Sequence, residues 1–564
     1  MDDQQSRRKD LRKIRSAAKL SIGLMALFAV GQLCSGCAWL KKHAETQADR
    51  AAYEILQQKN GPTSFSISQG QDEATNQMLS QAGRLPLDQD TVTTPSYLIT
   101  LSDALAIAVN NSRDYQSQKE QLYNQALSLT ESRRNYNTLS DASAYYSGSR
   151  NEWGHGIPPA GATVDRFDNR GFGAGLRRMF AWGGRVSLDF TQSYVRNLTN
   201  GATSGSSTDL AFSVVQPFLN GAGPLVAYEG QRQAERSMVY TVRNFKRYQQ
   251  SFIINVAQQY YDLLRSKDQL TNAEKNVEST TYNWNKMKRL AEGDRKTLLD
   301  VGNTNQNRLN AELRLIDEEI SYLNQLDSYK QFLGLDLDLD IGPDPAELDA
   351  LWVRGMIRPD MQMNEAIQIA LGNRLDFLTV KEQTADSERA VKIAFRNFLP
   401  NLDFSYRYSV GDDDDKDRIK LDFENNSQSW GLDLGLPLDW IPRRNNYKRA
   451  LLGLTQAERS ERQAQDNLII EVRNSWRQLE RLRRNYEIQQ ESRTTAESQV
   501  RRVNLELEMG ITDTRELIIA NDDLLAINNS LTSSLVNYTI ARLRFWNTIE
   551  RLEIDEKGMW NENN

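Results

Sequence analysis

The sequence predicts a membrane α+β protein in which very long, paired helices carry short membrane strands. Three observations predict this class. The chain contains one plan twice, each copy holds helical segments with a seven-residue apolar period, and segments with a two-residue period lie between the helices. The chain has 564 residues, a length that ordinarily suits about three or four compact domains. Helices of about 65 residues do not fit inside such domains, so the length does not translate into a domain count.

The composition excludes several classes of protein. Mean hydropathy is −0.63, and the one uninterrupted apolar run, near residues 20–33, is shorter than a spanning helix of about 20 residues, which excludes a polytopic helical membrane protein. The 69 Lys and Arg and the 75 Asp and Glu are interspersed with a net charge of −6, so we expect no nucleic-acid partner. The two Cys and two His are not spaced like a metal site or a catalytic pair, so we expect no cofactor, no metal and no catalytic residue. They are Cys34, Cys37, His43 and His155.

The N-terminus reads as an export signal that ends at Cys37. A basic segment, residues 7–19, precedes the apolar run, and small residues then lead into Cys37 in an order that resembles a bacterial lipobox, although Cys34 stands where Leu is usual. We therefore expect lipidation of Cys37, with ordinary signal-peptidase cleavage as the alternative. Residues 38–95 are predicted to form an extended arm with one short helix near residues 44–59.

One plan is written twice along the chain. The segment from Leu101 to Tyr115 aligns with that from Met363 to Phe377 at an offset of 262 residues, and later stretches align at an offset of 216. The first half therefore carries 46 more residues, which must lie between about residues 148 and 250. In order, the predicted segments are the signal 1–37, the arm 38–95, the first repeat 96–335, a connector 336–360, the second repeat 361–550 and a tail 551–564.

Each half predicts the same series of helices. The two longest keep an apolar residue at every seventh position, for example at Val256, Leu263 and Leu270 in the first half and at Val472 and Leu479 in the second. This period is typical of coiled packing, and about 65 residues at 1.5 Å each span roughly 100 Å. The predicted helices are 98–138, 224–292 and 297–333 in the first half, and 363–398, 443–508 and 514–549 in the second.

Between these helices lie segments in which apolar and polar residues alternate. Residues 402–410 and 430–436 place large apolar side chains on one face and polar or very small ones on the other, as the wall of a water-filled membrane barrel does. We assign β segments to 139–218 and 402–438 and expect four strands per chain. The extra length of the first half holds an added pair of strands, which we expect to project outward as a hairpin; six strands per chain is the alternative.

The ordered set of segments resembles the TolC-like outer-membrane efflux protein family over about residues 96–550. The resemblance rests on the duplicated order of helices and strands and on short segments at residues 101–108, 215–219, 297–301, 396–404 and 436–439. It implies a homotrimer in the bacterial outer membrane, in which three chains close a shared twelve-stranded barrel in outer-membrane lipid and extend a tunnel of helices into the periplasm. The implied function is not enzymatic. It is that of an exit duct for a tripartite efflux or type I secretion system.

The resemblance also implies partners and site residues. A periplasmic adaptor protein and an inner-membrane RND or ABC transporter would work with the duct, which conducts passively after adaptor-coupled opening. The turns between paired helices would be periplasmic tips that dock the adaptor, and acidic residues just past them would gate the entrance, although the second acid position of the family holds Ile519 here. The implied adaptor-docking residues are Gly293, Asp294, Arg295, Gly510, Ile511 and Asp513, and the implied gate residues are Asp300 and Glu516.

Two other functions are the alternatives. A lipid-anchored structural coiled-coil protein of the envelope would use the same helices, with its strands in a small soluble sheet and without a pore. An enzyme is the third hypothesis, but the sequence shows no phosphate loop and no Ser-His-Asp set, and scattered carboxylates on helices are solvated by default.

Overall fold

The computed structural model describes residues 43–59, 95–150, 166–197, 205–414, 421, 423–554 and 560. The predicted export signal with Cys37, the expected lipidation site, and most of the predicted arm lie outside these residues.

The first repeat begins with short helices, continues into strands and ends with two long helices. The short helix predicted near residues 44–59 is present as α1 and precedes this repeat, in the arm. In chain order the elements are α1 (residues 43–58), β1 (Tyr97–Ile99), α2 (Leu101–Asn111), α3 (Arg113–Arg134), β2 (Leu139–Arg150), β3 (Arg166–Met179), β4 (Arg185–Asn197), β5 (Gly205–Pro217), α4 (Pro224–Ala227), α5 (Glu229–Glu292) and α6 (Leu298–Leu333).

The second repeat follows a short connector and has the same order with fewer strands. Its elements, preceded by the connector elements β6 (Ile341–Pro343) and α7 (Ala346–Arg354), are α8 (Met363–Asn373), α9 (Leu375–Phe398), β7 (Asn401–Asp414), β8 (Asn426–Gly435), α10 (Ile441–Glu508) and α11 (Thr514–Thr548). In both repeats the first predicted helix is broken once, because Ser112 and Arg374 adopt extended backbone conformations. Residues of low helix propensity, Asn111 and Asn373, precede the two breaks.

Local side chains set where the helices begin and end. Thr100 and Asp103 form a capping box at the start of α2, and Thr297 and Asp300 form another at the start of α6. Each box satisfies backbone N–H groups that have no partner inside the helix. At its other end α6 stops at Gly334, which has the left-handed conformation, with φ 73° and ψ 29°, that favours glycine.

Six strands form one antiparallel sheet in the order β2-β3-β4-β5-β7-β8. The added pair predicted from the first half is β3 and β4, and it lies in the middle of this sheet, between β2 and β5. The sheet of a single chain therefore has the six strands of the alternative, and not the expected four with an outward hairpin.

The composition of β3 explains why its place in the sheet was not predicted. Gly171, Gly173 and Gly175 occupy alternate positions of the strand. Three successive positions on one of its faces therefore carry no side chain, and the alternation of apolar and polar residues is lost there. Glycine weakens a strand signal and favours bends, and the strand therefore reads as a turn-rich hairpin rather than as a wall element.

The long helices pack as two pairs, α5 with α6 and α10 with α11. Their seven-residue apolar columns are buried, as Val256, Leu263 and Leu270 in α5 and Val472 and Leu479 in α10 show. Three clusters of buried apolar side chains run along these pairs, and the smallest lies near the far ends of the long helices. Across the described residues, no helix combines the length and the apolar character needed to cross a bilayer.

Charged side chains join α5 of the first repeat to α9 of the second. Arg243 donates to Glu382 at 2.7 Å, and Arg389 donates to Glu229 at 2.9 Å. Arg389 also lies 2.9 Å from Asp386 on its own helix. Because these groups are partly buried, solvent screens their attraction less than on an open surface. The ion pairs between α5 and α9 therefore hold the two repeats side by side below the sheet.

Replacing Gly334 with alanine should destabilise the protein. A Cβ atom there would lie 2.4 Å from the carbonyl oxygen of Asn111. The left-handed conformation adds about 1–2 kcal/mol for a residue with a Cβ atom, and overpacking adds about 1–3 kcal/mol. We expect a lower thermal unfolding temperature, measured by circular dichroism in detergent.

The matched control is Gly302→Ala near the start of α6. A Cβ atom at Gly302 would meet no atom within 4 Å, so alanine should leave stability unchanged or raise it by about 0.5–1 kcal/mol. Equal unfolding temperatures for the two variants would contradict the role of Gly334.

Candidate functional site

The six-stranded sheet has one apolar face and one polar face. Large side chains on the apolar face are widely exposed, since Trp430 is 76% and Leu432 is 63% accessible. The apolar face includes Ala144, Phe172, Leu188, Phe212, Tyr406 and Trp430, one from each strand. The polar face includes Asp141, Arg177, Asp189, Asp209, Arg407 and Asp433, again one from each strand. An exposed apolar surface that spans six strands is typical of a protein face covered by lipid or by a partner.

Ion pairs between neighbouring strands order the polar face. Arg177 lies 3.8 Å from a carboxylate oxygen of Asp141 and 3.9 Å from one of Asp189. Arg407 lies 3.4 Å from Asp209. These side chains are about half exposed, so each pair adds little stability. Their consequence is electrostatic: Arg177 and Arg407 each offset a carboxylate on a neighbouring strand.

Glycines in β3 make room for the side chains of neighbouring strands. A Cβ atom at Gly175 would lie 2.9 Å from a carboxylate oxygen of Asp141 and 3.0 Å from one of Asp189. At Gly171 the ring of Tyr145 covers the backbone so closely that a Cβ atom would be 2.4 Å from it. The glycines therefore let bulkier residues of β2 and β4 fill the polar face above β3.

Aromatic side chains gather where the strands meet the helices. The rings of Phe180 and Trp182 stack at 4.7 Å with an angle of 6° between their planes, in the turn between β3 and β4. The rings of Phe398 and Trp440 lie 5.2 Å apart at the ends of the second-repeat strands. Such a girdle is typical of the level at which a membrane barrel meets the head groups.

Both edges of the sheet are open within the described part of the chain. β2 pairs only with β3, and β8 pairs only with β7. Unpaired backbone N–H and C=O groups are costly in hydrocarbon, so a sheet with an apolar face and two open edges is incomplete by itself.

The far ends of the long helices form two exposed turns, called the tips below: residues 293–297 between α5 and α6, and residues 509–513 between α10 and α11. All six predicted docking residues lie in these turns. Asp513 also has a structural task, because its carboxylate accepts from the N–H groups of Arg515 and Glu516 at 3.0 and 3.2 Å.

Apolar side chains at and just past the tips are exposed as well, and the sequence reading missed Leu298, Leu299 and Met509 among them. Leu298 is 86%, Leu299 is 72% and Met509 is 65% accessible, and the predicted docking residue Ile511 is 71% accessible. The available signal in the sequence was a pair of leucines in the first turn of a predicted helix, because a helix start that faces water is normally polar.

The two predicted gate residues differ in their surroundings. Asp300 completes the capping box of α6, accepting from the N–H of Thr297 at 3.1 Å, and it also accepts from the hydroxyl of Thr514 on α11. The hydrogen bond from Thr514, aided by those from Thr297, lowers the pKa of the Asp300 carboxyl from 3.8. These bonds are therefore fully present at neutral pH and are lost only as pH falls through the lowered value. Glu516 is exposed in the first turn of α11.

Further polar contacts join the two helix pairs near the tips. Lys286 of α5 donates to Glu508 of α10 at 2.7 Å, and Arg314 of α6 donates to Asp522 of α11 at 3.1 Å. Sequence reasoning did not find these pairs, because their partners lie more than 200 residues apart in the chain. Within the described ranges, no group of three or more His, Cys, Asp and Glu side chains is arranged to hold a metal ion.

Replacing Thr514 with valine should loosen the start of α6. The change removes the hydroxyl donor to Asp300 and leaves the bonds to Thr297 in place. A hydrogen bond to a carboxylate at a half-exposed site contributes about 0.5–1.5 kcal/mol, so we expect roughly two- to tenfold faster amide hydrogen exchange over residues 298–301. Thr304→Val is the control, because the Thr304 hydroxyl donates within its own helix, to the Asp300 carbonyl at 2.9 Å. Equal exchange in both variants would exclude the link between α6 and α11.

Sequence comparison finds a family model that matches the second repeat. Residues 366–545, from α8 to α11, match the family model described as outer membrane efflux protein. A comparison with curated protein sequences gives no match.

Solved structures share the fold of most of the chain. The outer membrane channel CmeC of Campylobacter jejuni is 13% identical over 89% of this chain and 96% of its own, with a TM-score of 0.57. The MtrE outer membrane channel of Neisseria gonorrhoeae, solved in an open state, is 12% identical over 83% and 96%, with a TM-score of 0.55. The outer membrane protein VceC of Vibrio cholerae is 13% identical over 80% and 95%, with a TM-score of 0.54.

These channels are covered almost completely, whereas part of the present chain has no counterpart in them. The TolC-like resemblance found in the sequence is confirmed. The chain shares the fold of the outer membrane channels CmeC and MtrE, and its residues 366–545 match the outer membrane efflux protein model.

Proposed function

We propose that this protein is one subunit of a homotrimeric exit duct in the bacterial outer membrane. The observation that carries the proposal is the six-stranded sheet, which has an exposed apolar face, a charged polar face and two open edges. A barrel shared by several chains satisfies all three features, because lipid covers the apolar face, water fills the inside and neighbouring chains pair the edges.

The long helices supply the second part of the duct. α5 has 64 residues and α10 has 68, so they extend about 96 and 102 Å from the sheet at 1.5 Å per residue. Three copies of these helices, side by side, form a periplasmic tunnel of that length. Solutes cross it and the barrel by passive conduction.

An apolar stripe on α6 supports contact between copies. Leu309, Leu313, Ile316 and Ile320 follow each other at helical spacing and are 39% to 61% accessible. Residues three or four apart lie on one side of a helix, so these form a continuous stripe that the described chain leaves uncovered. A neighbouring copy in the trimer covers it.

The polar contacts near the tips act as a closing latch between the two helix pairs. Asp300 with Thr514, Lys286 with Glu508, and Arg314 with Asp522 each join one pair to the other. The two ion pairs are partly exposed and individually weak, so a partner bound at the tips can break them at low cost. Glu516, exposed beside them, faces the entrance.

The partners follow from the two ends of the duct. A periplasmic adaptor protein docks at the tips, where Ile511 and the exposed leucines of α6 offer apolar contacts and Arg295 offers a charge. An inner-membrane RND or ABC transporter supplies the energy that the duct itself lacks. The protein thus serves a tripartite efflux or type I secretion system.

Mass measurement and electron microscopy of the detergent-purified full chain test the assembly. We expect three copies in a three-fold tube of roughly 130 Å, the sum of the helices and a barrel about 25–30 Å tall. A monomer without a tube would overturn the duct and favour the lipid-anchored coiled-coil protein.

Replacing Arg314 with alanine should open the entrance. The change removes the pair with Asp522, and an exposed pair contributes up to about 1 kcal/mol, so we expect the ratio of open to closed states in single-channel recordings to rise up to about fivefold. Arg308→Ala is the control. It removes the same charge, but Arg308 pairs with Glu312 on its own helix and not with the other helix pair. An identical rise in both variants would point to a general charge effect and against the latch.

A further inference from the structure

We propose that the β3–β4 hairpin is part of the barrel wall, so that three chains build an eighteen-stranded barrel with a wide mouth rather than a twelve-stranded one. The inference rests on the trimer proposed above and adds a property of its pore. It follows from how the hairpin is paired, which faces it presents, and how its charges meet those of its neighbours.

Pairing places the hairpin inside the sheet along its whole length. β2 pairs with β3 from Leu139 opposite Arg177 to Arg150 opposite Arg166. β4 pairs with β5 from Arg185 opposite Val215 to Val195 opposite Gly205. Two strands therefore lie between β2 and β5, and no described backbone pairing joins these two directly.

The two faces of the hairpin continue the two faces of the sheet. Phe172, Leu176 and Leu188 lie on the apolar face and are 39% to 45% accessible, whereas Asp189 and Thr191 lie on the polar face. A hairpin that projected into water would gain nothing from one apolar face. The alternation is that of a strand between lipid and a water-filled pore.

Charges tie the hairpin to the strand beside it. The Arg177 guanidinium stands between Asp141 on β2 and Asp189 on β4, and Gly175 leaves the space that the two carboxylates occupy. β3 thus supplies the cation that offsets an acid of its neighbour on the pore side.

The added strands change the size of the pore. With strands about 4.8 Å apart and tilted by about 40°, twelve strands give a backbone diameter of roughly 24 Å and eighteen give roughly 36 Å. Side chains take about 12 Å of either figure, which leaves about 12 Å or about 24 Å. The wider barrel does not filter hydrophilic solutes of up to about 20 Å, so size selection falls to the tunnel and the tips.

Cysteine labelling on β4 tests the position of the hairpin. Thr191→Cys on the polar face and Leu188→Cys on the apolar face are three residues apart, and each is treated in outer membranes with a charged, membrane-impermeant maleimide. We expect labelling at position 191 and at least tenfold less at position 188, with the unsubstituted protein as background. Equal labelling of both, or none at 191, would overturn the inference.

A size series then tests the width. Ser409→Cys lies on the polar face of β7, outside the hairpin. A maleimide carrying a polymer coil of about 18 Å diameter should react there, because it fits the lumen estimated for eighteen strands but not that for twelve. Reaction with the small maleimide alone would overturn the wide pore. The mass of the same preparation separates the two proposals: a trimer that fails these tests sinks only the wide barrel, whereas a monomer sinks the duct.

Discussion

The open edges of the six-stranded sheet are the constraint on which the rest of the structure depends. In hydrocarbon, each unpaired backbone N–H or C=O group costs several kcal/mol, and β2 and β8 each lack a neighbour on one side within the described chain. The exposed apolar face makes the same sheet unsuited to water. In the proposed trimer both problems have one solution, because β8 of one chain runs antiparallel to β2 of the next.

That solution also explains the helices. Closing the sheet brings the long helices of three chains side by side, so their paired apolar columns and polar outer surfaces suit a tunnel wetted on both sides. The tips then lie about 100 Å from the membrane, where only the helix pairs themselves connect them to the sheet. Weak polar contacts between the helix pairs suit this end of the proposed duct, because strong contacts would resist its opening.

An added pair of strands is the smallest change that widens such a barrel. Two strands preserve the antiparallel order, leave the direction of every later element unchanged and keep each face on its own side, whereas one strand would reverse the second repeat. The helices need no change. This explains how the first repeat carries 46 more residues than the second in its strand region while the order of helices stays the same in both.

The sequence by itself determined the features that depend on neighbours along the chain. Seven-residue columns such as Val256, Leu263 and Leu270 predicted the paired helices, the two-residue alternation predicted β7 and β8, and the duplicated order predicted the family. The tip turns were also predicted, because glycines and a capping residue mark them locally.

Only the tertiary structure decided what depends on residues far apart in the chain. The place of β3 inside the sheet, the position of Arg177 between Asp141 and Asp189, and the bond between Asp300 and Thr514, 214 residues apart, leave no periodic trace in the sequence. The physical reason is that periodicity reports which face of an element is buried, whereas register and cross-chain contacts are set by the packing of whole elements against each other.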